Sequence, residues 1–95
     1  MDKNSIINFL GSHRKELETK FKVSKIGLFG SYAQNRQTEE SDIDILVSMP
    51  SDFDLYYNLK EYLESGLQKR VDLGLEKNIR ELVRRHIQNE VLYVW

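Results

Sequence analysis

The sequence contains no cysteine. This absence excludes a disulfide framework and a zinc site built on cysteine, and it fits the reducing cytoplasm in which we expect the protein to work. An excess of basic residues is also missing, since 14 lysines and arginines stand against 15 aspartates and glutamates and the formal net charge is -1. A protein that binds a long nucleic acid neutralises many phosphates with basic side chains. The charge balance therefore argues against a long nucleic acid as partner and leaves open a small anionic ligand held by a metal ion.

Long hydrophobic runs are absent as well. The first residues, MDKNSIINFLGSHRKELE, carry charges on both sides of a short apolar run, which fits neither a signal peptide nor a membrane span. We therefore expect no membrane partner. A chain of 95 residues, 40% of them hydrophobic, is long enough for one globular core and too short for two, so residues 1–95 are expected to form a single domain.

Hydrophobic periodicity predicts three helices. Apolar residues at helical spacing predict helices over residues 4–21, with Gly11 as a weak point, and over residues 52–68. Ser51, as the first residue of a capping box, is expected to start the second helix, and Asn78 is expected to start the third.

Four strands are predicted between and after these helices, at KIGLFG, SDIDILVSM, KRVDLGLE and, as an edge strand, VLYVW. Each is a short run rich in apolar residues. The resulting order of elements predicts a small α/β or α+β fold in which a mixed β-sheet is flanked by helices.

Two aspartates, Asp42 and Asp44, stand at the start of the second predicted strand. Side chains alternate in a strand, so both carboxylates point to one face while Ile43 and Ile45 point to the other. Two like charges about 4 Å apart repel by roughly 4 kcal/mol at an effective dielectric near 20, and aspartate is a poor strand former. Mg²⁺ prefers a few carboxylate oxygens together with water and substrate phosphates, so a bound Mg²⁺ would offset this repulsion. The alternative is that both side chains lie in water at the mouth of the strand.

A Gly-Ser pair, Gly30 and Ser31, ends the first predicted strand. Such a junction presents backbone N–H groups and a hydroxyl to an anion, and glycine permits close approach. A third aspartate, Asp72, lies inside the third predicted strand. A phosphate-binding turn at Gly30 and Ser31 and an aspartate pair on the adjacent strand, together with Asp72, would form a site for a nucleoside triphosphate. The alternatives are a simple turn at Gly30 and an exposed edge position for Asp72.

The segment GSYAQNRQTEESDID matches the G-S-x10-D-x-D signature without a gap, and in this it resembles the nucleotidyltransferase superfamily that includes DNA polymerase beta. More narrowly, the length of the chain and the segments SDFDLYYNLKEYLE, KRVDLGLEKNI and IRELVRRHIQNEVLYVW resemble the minimal nucleotidyltransferase (MNT) antitoxins. The resemblance extends over nearly the whole chain and implies a minimal nucleotidyltransferase fold.

The resemblance also implies a role for each motif. Gly30 and Ser31 would bind the triphosphate of ATP, and Asp42 and Asp44 would hold two Mg²⁺ ions. Asp72 would be the third carboxylate, which binds metal and helps to activate the attacking hydroxyl. The implied partner is a co-encoded HEPN-type RNase toxin, joined with the antitoxin in a hetero-oligomer and neutralised by transfer of AMP from ATP to a toxin tyrosine.

Two residues depart from the family pattern G-S-x-A-R-G, because Gln34 and Asn35 stand where arginine and the second glycine usually do. Asparagine tolerates a positive φ better than other non-glycine residues, so Asn35 is expected to keep the turn. Gln34 removes a charge-assisted contact if the usual arginine binds phosphate. The sequence therefore leaves open an adenylyltransferase antitoxin and a non-catalytic antitoxin that acts by binding alone. Transfer to a small hydroxylated molecule such as an aminoglycoside is supported only by the shared motif.

Overall fold

The computed structural model describes residues 1–81 and 91–95. Its helices are α1 (Lys3–Ser12), α2 (Arg14–Lys20), α3 (Gly30–Ala33) and α4 (Phe53–Leu67), with a 3-10 turn at Glu76–Asn78. Its strands are β1 (Lys25–Phe29), β2 (Ile43–Ser48), β3 (Val71–Leu75) and β4 (Leu92–Tyr93). None of the helices within the described ranges is long and apolar enough to cross a membrane.

The four strands form one mixed sheet in the order β3-β2-β1-β4. Strand β1 pairs antiparallel with both β2 and β4, whereas β2 and β3 are parallel. The parallel pair needs a crossover connection, which α4 supplies. The predicted α+β fold with a mixed sheet and an edge strand at the end of the chain is confirmed.

The main hydrophobic core lies on one face of this sheet, between the strands and helices α1, α2 and α4. Alternate residues of each strand point into it, and burial of each large aliphatic side chain stabilises the fold by about 1.5–3 kcal/mol. The buried strand residues of this core are Ile26, Leu28, Ile43, Ile45, Val47, Val71 and Leu73, and the buried helix residues include Ile6, Leu10, Leu17, Leu59, Leu63 and Leu67.

The opposite face of the sheet is apolar over a smaller area. There Phe29 and Leu46 are buried against Ile79 and Val91. Asp44 lies on this second face, since it is two residues before Leu46 on the same strand. The alternation that places Ile43 and Ile45 in the main core therefore turns Asp44 away from it.

The expectation of one continuous helix over residues 4–21 is wrong, because α1 and α2 are separated at His13. The backbone there (φ -104°, ψ 13°) departs from helical values, two residues after the weak helix former Gly11. The His13 ring stacks on Phe9 with centroids 4.1 Å apart, and its Nδ1 lies 2.7 Å from the Phe9 carbonyl oxygen. These contacts hold the side chain at the break.

Helix α4 begins one residue later than the capping box predicted. Asp52, not Ser51, has the extended backbone of an N-cap, and its carboxylate accepts a hydrogen bond of 3.0 Å from the Leu55 N–H. The Ser51 hydroxyl instead accepts from the Lys77 ammonium. The helix predicted to start at Asn78 is preceded by the 3-10 turn, and the residues that would continue it beyond position 81 lie outside the described residues.

Candidate active site

Asp44 of β2 and Asp72 of β3 are partners in the parallel register of the sheet. Neighbouring strands lie about 4.8 Å apart, and paired residues project from the same face, so the two carboxylates are neighbours. Asp44 is buried, at 9% exposure, whereas Asp72 is open to solvent. The structure thus brings two of the predicted site residues together near the first residues of β2 and β3. Asp72 is also exposed and lies on an edge strand, which is the alternative interpretation that the sequence left open for this residue.

Gly30 lies directly against the carboxylate of Asp44. Its neighbour Phe29 is the antiparallel register partner of Asp44, and Gly30 itself has a φ of +73°. A Cβ built on Gly30 would lie 2.1 Å from Asp44 Oδ2 and 2.8 Å from Cγ. Glycine is therefore required here for two reasons: any other residue would be strained at this φ, and its side chain would occupy the space of the carboxylate.

Ser31 lies in the first turn of α3, the four-residue helix that begins at Gly30. The first N–H groups of a helix have no partner within the helix, so those at the start of α3, where Gly30 lies against Asp44, can donate to an acceptor outside it. The Ser31 carbonyl accepts from the Arg36 N–H at 2.9 Å, which closes the following loop. Asn35 has a φ of +56°, and the predicted left-handed turn is confirmed. Gln34 is the C-cap of α3.

Asp42 is placed differently from the other two aspartates. It stands one residue before β2, is exposed, and has its Oδ1 3.3 Å from Nε of Arg70. The Ile43 N–H donates to the Arg70 carbonyl at 3.0 Å, so the backbone ladder between β2 and β3 extends to this pair. The positive charge of Arg70 therefore compensates the negative charge of Asp42.

The oxygen ligands at this end of the sheet fit a magnesium ion. Mg²⁺ is usually bound by one or two carboxylates, with water and substrate phosphates completing its coordination. Asp44 and Asp72 supply an adjacent pair of that kind, and the missing side chain of Gly30 leaves the space that the Asp44 carboxylate occupies. Within residues 1–81 and 91–95, no three His, Cys, Asp or Glu side chains are grouped closely enough to hold a metal by themselves.

Two further residues near the aspartates were not predicted from the sequence. Tyr56 of α4 donates its hydroxyl to the Leu73 carbonyl, at the edge of the sheet next to Asp72. Burial, and to a smaller extent the charges of Asp72 and Tyr57, raises the pKa of the Tyr56 phenol. Arg70 is the other. Its position two residues before Asp72 could have indicated that it shares a face with that aspartate.

Comparison with known proteins identifies the family. Residues 10–94 match the family model of the nucleotidyltransferase domain. The chain is 44% identical to a protein of Methanocaldococcus jannaschii that is provisionally named a protein adenylyltransferase, over 96% of each chain. It is 40% identical to the protein adenylyltransferase MntA of Thermococcus cleftensis, over 94% of this chain and 92% of that relative.

Two crystal structures share the fold over the whole of this chain and 73% of theirs. One is a toxin-antitoxin complex, MntA-HpeT, with two aspartate-to-glutamate substitutions two positions apart, at 28% identity and a TM-score of 0.68. The other is a toxin-antitoxin with AMP-PNP, at 30% identity and a TM-score of 0.65. The predicted resemblance to the minimal nucleotidyltransferase antitoxins is thereby confirmed, and the chain belongs to the nucleotidyltransferase domain family and is a nucleotidyltransferase.

Proposed function

We propose that this nucleotidyltransferase is the antitoxin of a toxin-antitoxin pair, and that it transfers AMP from ATP to a tyrosine of its partner, a HEPN-type RNase toxin, with Mg²⁺ as cofactor. The observation that carries the proposal is the contact of Gly30 with Asp44 together with the register of Asp44 and Asp72. Relatives named protein adenylyltransferase, and structural neighbours that are toxin-antitoxin complexes, support the class of acceptor.

The reaction is a displacement at the α-phosphorus of ATP. A bond forms between the acceptor oxygen and the α-phosphorus while the bond from that phosphorus to the oxygen bridging to the β-phosphate breaks, and pyrophosphate leaves. The hydroxyl proton passes to a base. Bound Mg²⁺, expected as two ions, supplies charge that lowers the pKa of the attacking hydroxyl and stabilises the leaving group.

The residues of the chain position the reactants. The backbone at Gly30 and the hydroxyl of Ser31 would bind phosphate oxygens, and Asp42 and Asp44 would hold the metal. Asp72 would contribute a third carboxylate to the metal and, because it is exposed on an edge strand, is accessible to an acceptor hydroxyl and its proton. Correct placement of such groups provides most of the catalysis in phosphoryl and nucleotidyl transfer.

A non-catalytic antitoxin that acts by binding alone is the competing proposal. Two features favour it: Gln34 lacks the charge of an arginine, and Asp42 is paired with Arg70. Both proposals require complex formation with the toxin, so binding alone does not separate them. Covalent modification of the toxin does.

The experiment is to incubate the protein with its co-encoded partner, ATP and Mg²⁺, and to record intact-mass spectra of both chains. We expect the partner to gain one or more adenylate masses, and peptide mapping to locate them on tyrosine. Chelation of Mg²⁺ and the Asp72→Asn variant should each abolish the gain, whereas Asp54→Asn, an exposed aspartate of α4, should retain it. A tightly bound but unmodified partner would instead establish the binding-only antitoxin.

A further inference from the structure

Arg70 stands one residue before β3 and Asp42 one residue before β2, so each lies two positions before one of the adjacent aspartates, Asp72 and Asp44. Asp44 and Asp72 are register partners, and the contact of 3.3 Å places Asp42 beside Arg70. The Ile43 N–H donates to the Arg70 carbonyl, so the pairing of β2 with β3 continues to Arg70 and places it, with Asp42, at the same end of the sheet as Asp44 and Asp72. Two positions along a strand correspond to about 7 Å between the backbone of Arg70 and that of Asp72.

The ion pair between Arg70 and Asp42 is of a kind that breaks easily. It uses Nε alone, and the two side chains are 82% and 45% exposed. An exposed pair of this type contributes at most about 1 kcal/mol, whereas a guanidinium has five N–H donors in a planar fork that matches phosphate oxygens. Arg70 can therefore leave Asp42 at little cost when a better anion is present.

A nucleotide at this site would be such an anion. Asp44 and Asp72 already concentrate negative charge here, so a polyphosphate gains from every cation within reach. The neighbouring Lys69 is directed elsewhere, since its ammonium donates to the Glu39 carbonyl at 2.9 Å and lies 5.9 Å from the centre of the Tyr32 ring. The Arg70 guanidinium, in contrast, lies against Asp42.

We propose that Arg70 is a nucleotide-binding residue of this site, whose guanidinium pairs with Asp42 in the absence of nucleotide and moves onto the phosphate oxygens of a bound nucleoside triphosphate. This inference rests on the proposed function for the presence of the nucleotide. It adds a residue that acts on the phosphates from the β3 side of the aspartates, opposite to the β1–α3 junction at Gly30.

The test compares the affinity of the wild type and of Arg70→Gln for AMP-PNP in the presence of Mg²⁺, by isothermal titration calorimetry. Loss of one charge-assisted contact should weaken binding about tenfold, and Arg70→Lys, which retains the charge without the fork, should lie between. Arg14→Gln is a matched control, because Arg14 is also exposed and also has its Nε 3.3 Å from a carboxylate, that of Glu18. The control should bind within twofold of the wild type.

A second measurement, thermal stabilisation, distinguishes phosphate binding by Arg70 from a role in positioning Asp42. If Arg70 only positioned Asp42 for metal, Arg70→Gln would reduce the thermal stabilisation given by Mg²⁺ without nucleotide. We expect that stabilisation to be unchanged or larger, and only the additional stabilisation by AMP-PNP to fall. Nucleotide affinity within twofold of the wild type in Arg70→Gln, or a loss confined to Mg²⁺ alone, would overturn the inference.

The outcomes for this inference and for the proposed function are distinct. A wild type that binds AMP-PNP in an Arg70-dependent manner but transfers no AMP supports the inference and refutes the adenylyl transfer. A wild type that transfers AMP with no dependence of nucleotide affinity on Arg70 refutes the inference alone. A wild type that binds no nucleotide refutes both.

Discussion

The carboxylate of Asp44 and the α-carbon of Gly30 are in contact, so closely that a methyl group at position 30 would lie 2.1 Å from Asp44 Oδ2. The antiparallel pairing of β1 with β2 produces this contact, because it returns the chain to the end of β1 at the level of Asp44. Gly30 of the Gly-Ser pair and Asp44 of the D-x-D pair, which are distant in the sequence, therefore lie in contact at one end of the sheet.

Replacement of Gly30 by alanine should destabilise the protein and abolish nucleotidyl transfer. The positive φ alone costs about 1–3 kcal/mol for a non-glycine residue, and the added Cβ also displaces Asp44. Urea unfolding measures the loss. Gly11→Ala is the control, because the nearest atom that a Cβ there would meet among the described residues is in Val94, at 4.0 Å, and it should be neutral or stabilise by up to about 1 kcal/mol. A Gly30→Ala protein as stable and active as the wild type would contradict the account of this junction.

Asn35 should tolerate glycine but not valine. Its φ of +56° is a left-handed value that glycine adopts freely and that a β-branched residue resists. Asn35→Gly is expected to be neutral or slightly stabilising, and Asn35→Val to cost about 1–3 kcal/mol. Both values come from chemical denaturation, with nucleotide affinity measured in parallel. Equal stabilities of the two variants would show that the loop does not depend on this turn.

The hydrogen bond from Tyr62 to Glu16 should make stability fall at alkaline pH. The Tyr62 hydroxyl donates to Glu16 Oε2 at 2.9 Å and ties α4 to α2, and burial together with this bond raises the pKa of Tyr62 to about 12. Because the folded pKa lies above the ordinary value of 10.0, the contribution is full below about pH 10 and is lost as pH rises through about 12.

Urea denaturation at a series of alkaline pH values tests this. Tyr62→Phe should be less stable than the wild type at neutral pH and should lose less stability between about pH 10 and about pH 12. Tyr57→Phe, which alters a half-exposed ring of the same helix, serves as the control and should decline as the wild type does. Parallel curves for Tyr62→Phe and the wild type would exclude the hydrogen bond as the cause.

The strands were predictable because their causes are local. Alternation places Asp44 on the face opposite Ile43 and Ile45, a glycine followed by serine marks the end of β1, and an asparagine in place of glycine indicates a left-handed turn at position 35. Each of these follows from a residue's own conformational preference. The prediction that Asp42 lies inside the second strand is wrong, because β2 begins at Ile43. The fold class followed from the order of elements alone.

The remaining features could not be predicted from the conformational preference of single residues. The ion pair between Arg70 and Asp42 follows from the parallel register of β2 and β3, which no local pattern specifies. At the break between α1 and α2, His13 stacks on Phe9. The N-cap of α4 is Asp52 and not Ser51, and these two adjacent polar residues were both candidates. Periodicity could not decide either position.

The central claim is that Asp44 and Asp72 form a metal and nucleotide site, and thermal unfolding of the wild type and of Asp44→Asn, each with and without Mg²⁺ and ATP, tests it most directly. Without ligand, removal of one of two adjacent charges should leave the melting temperature unchanged or raise it, because their mutual repulsion is relieved. With Mg²⁺ and ATP, the wild type should gain stability and Asp44→Asn should gain almost none, since a ligand stabilises only a folded state that binds it. Asp54→Asn should behave as the wild type. An equal gain for the wild type and Asp44→Asn would contradict the site and the function proposed from it.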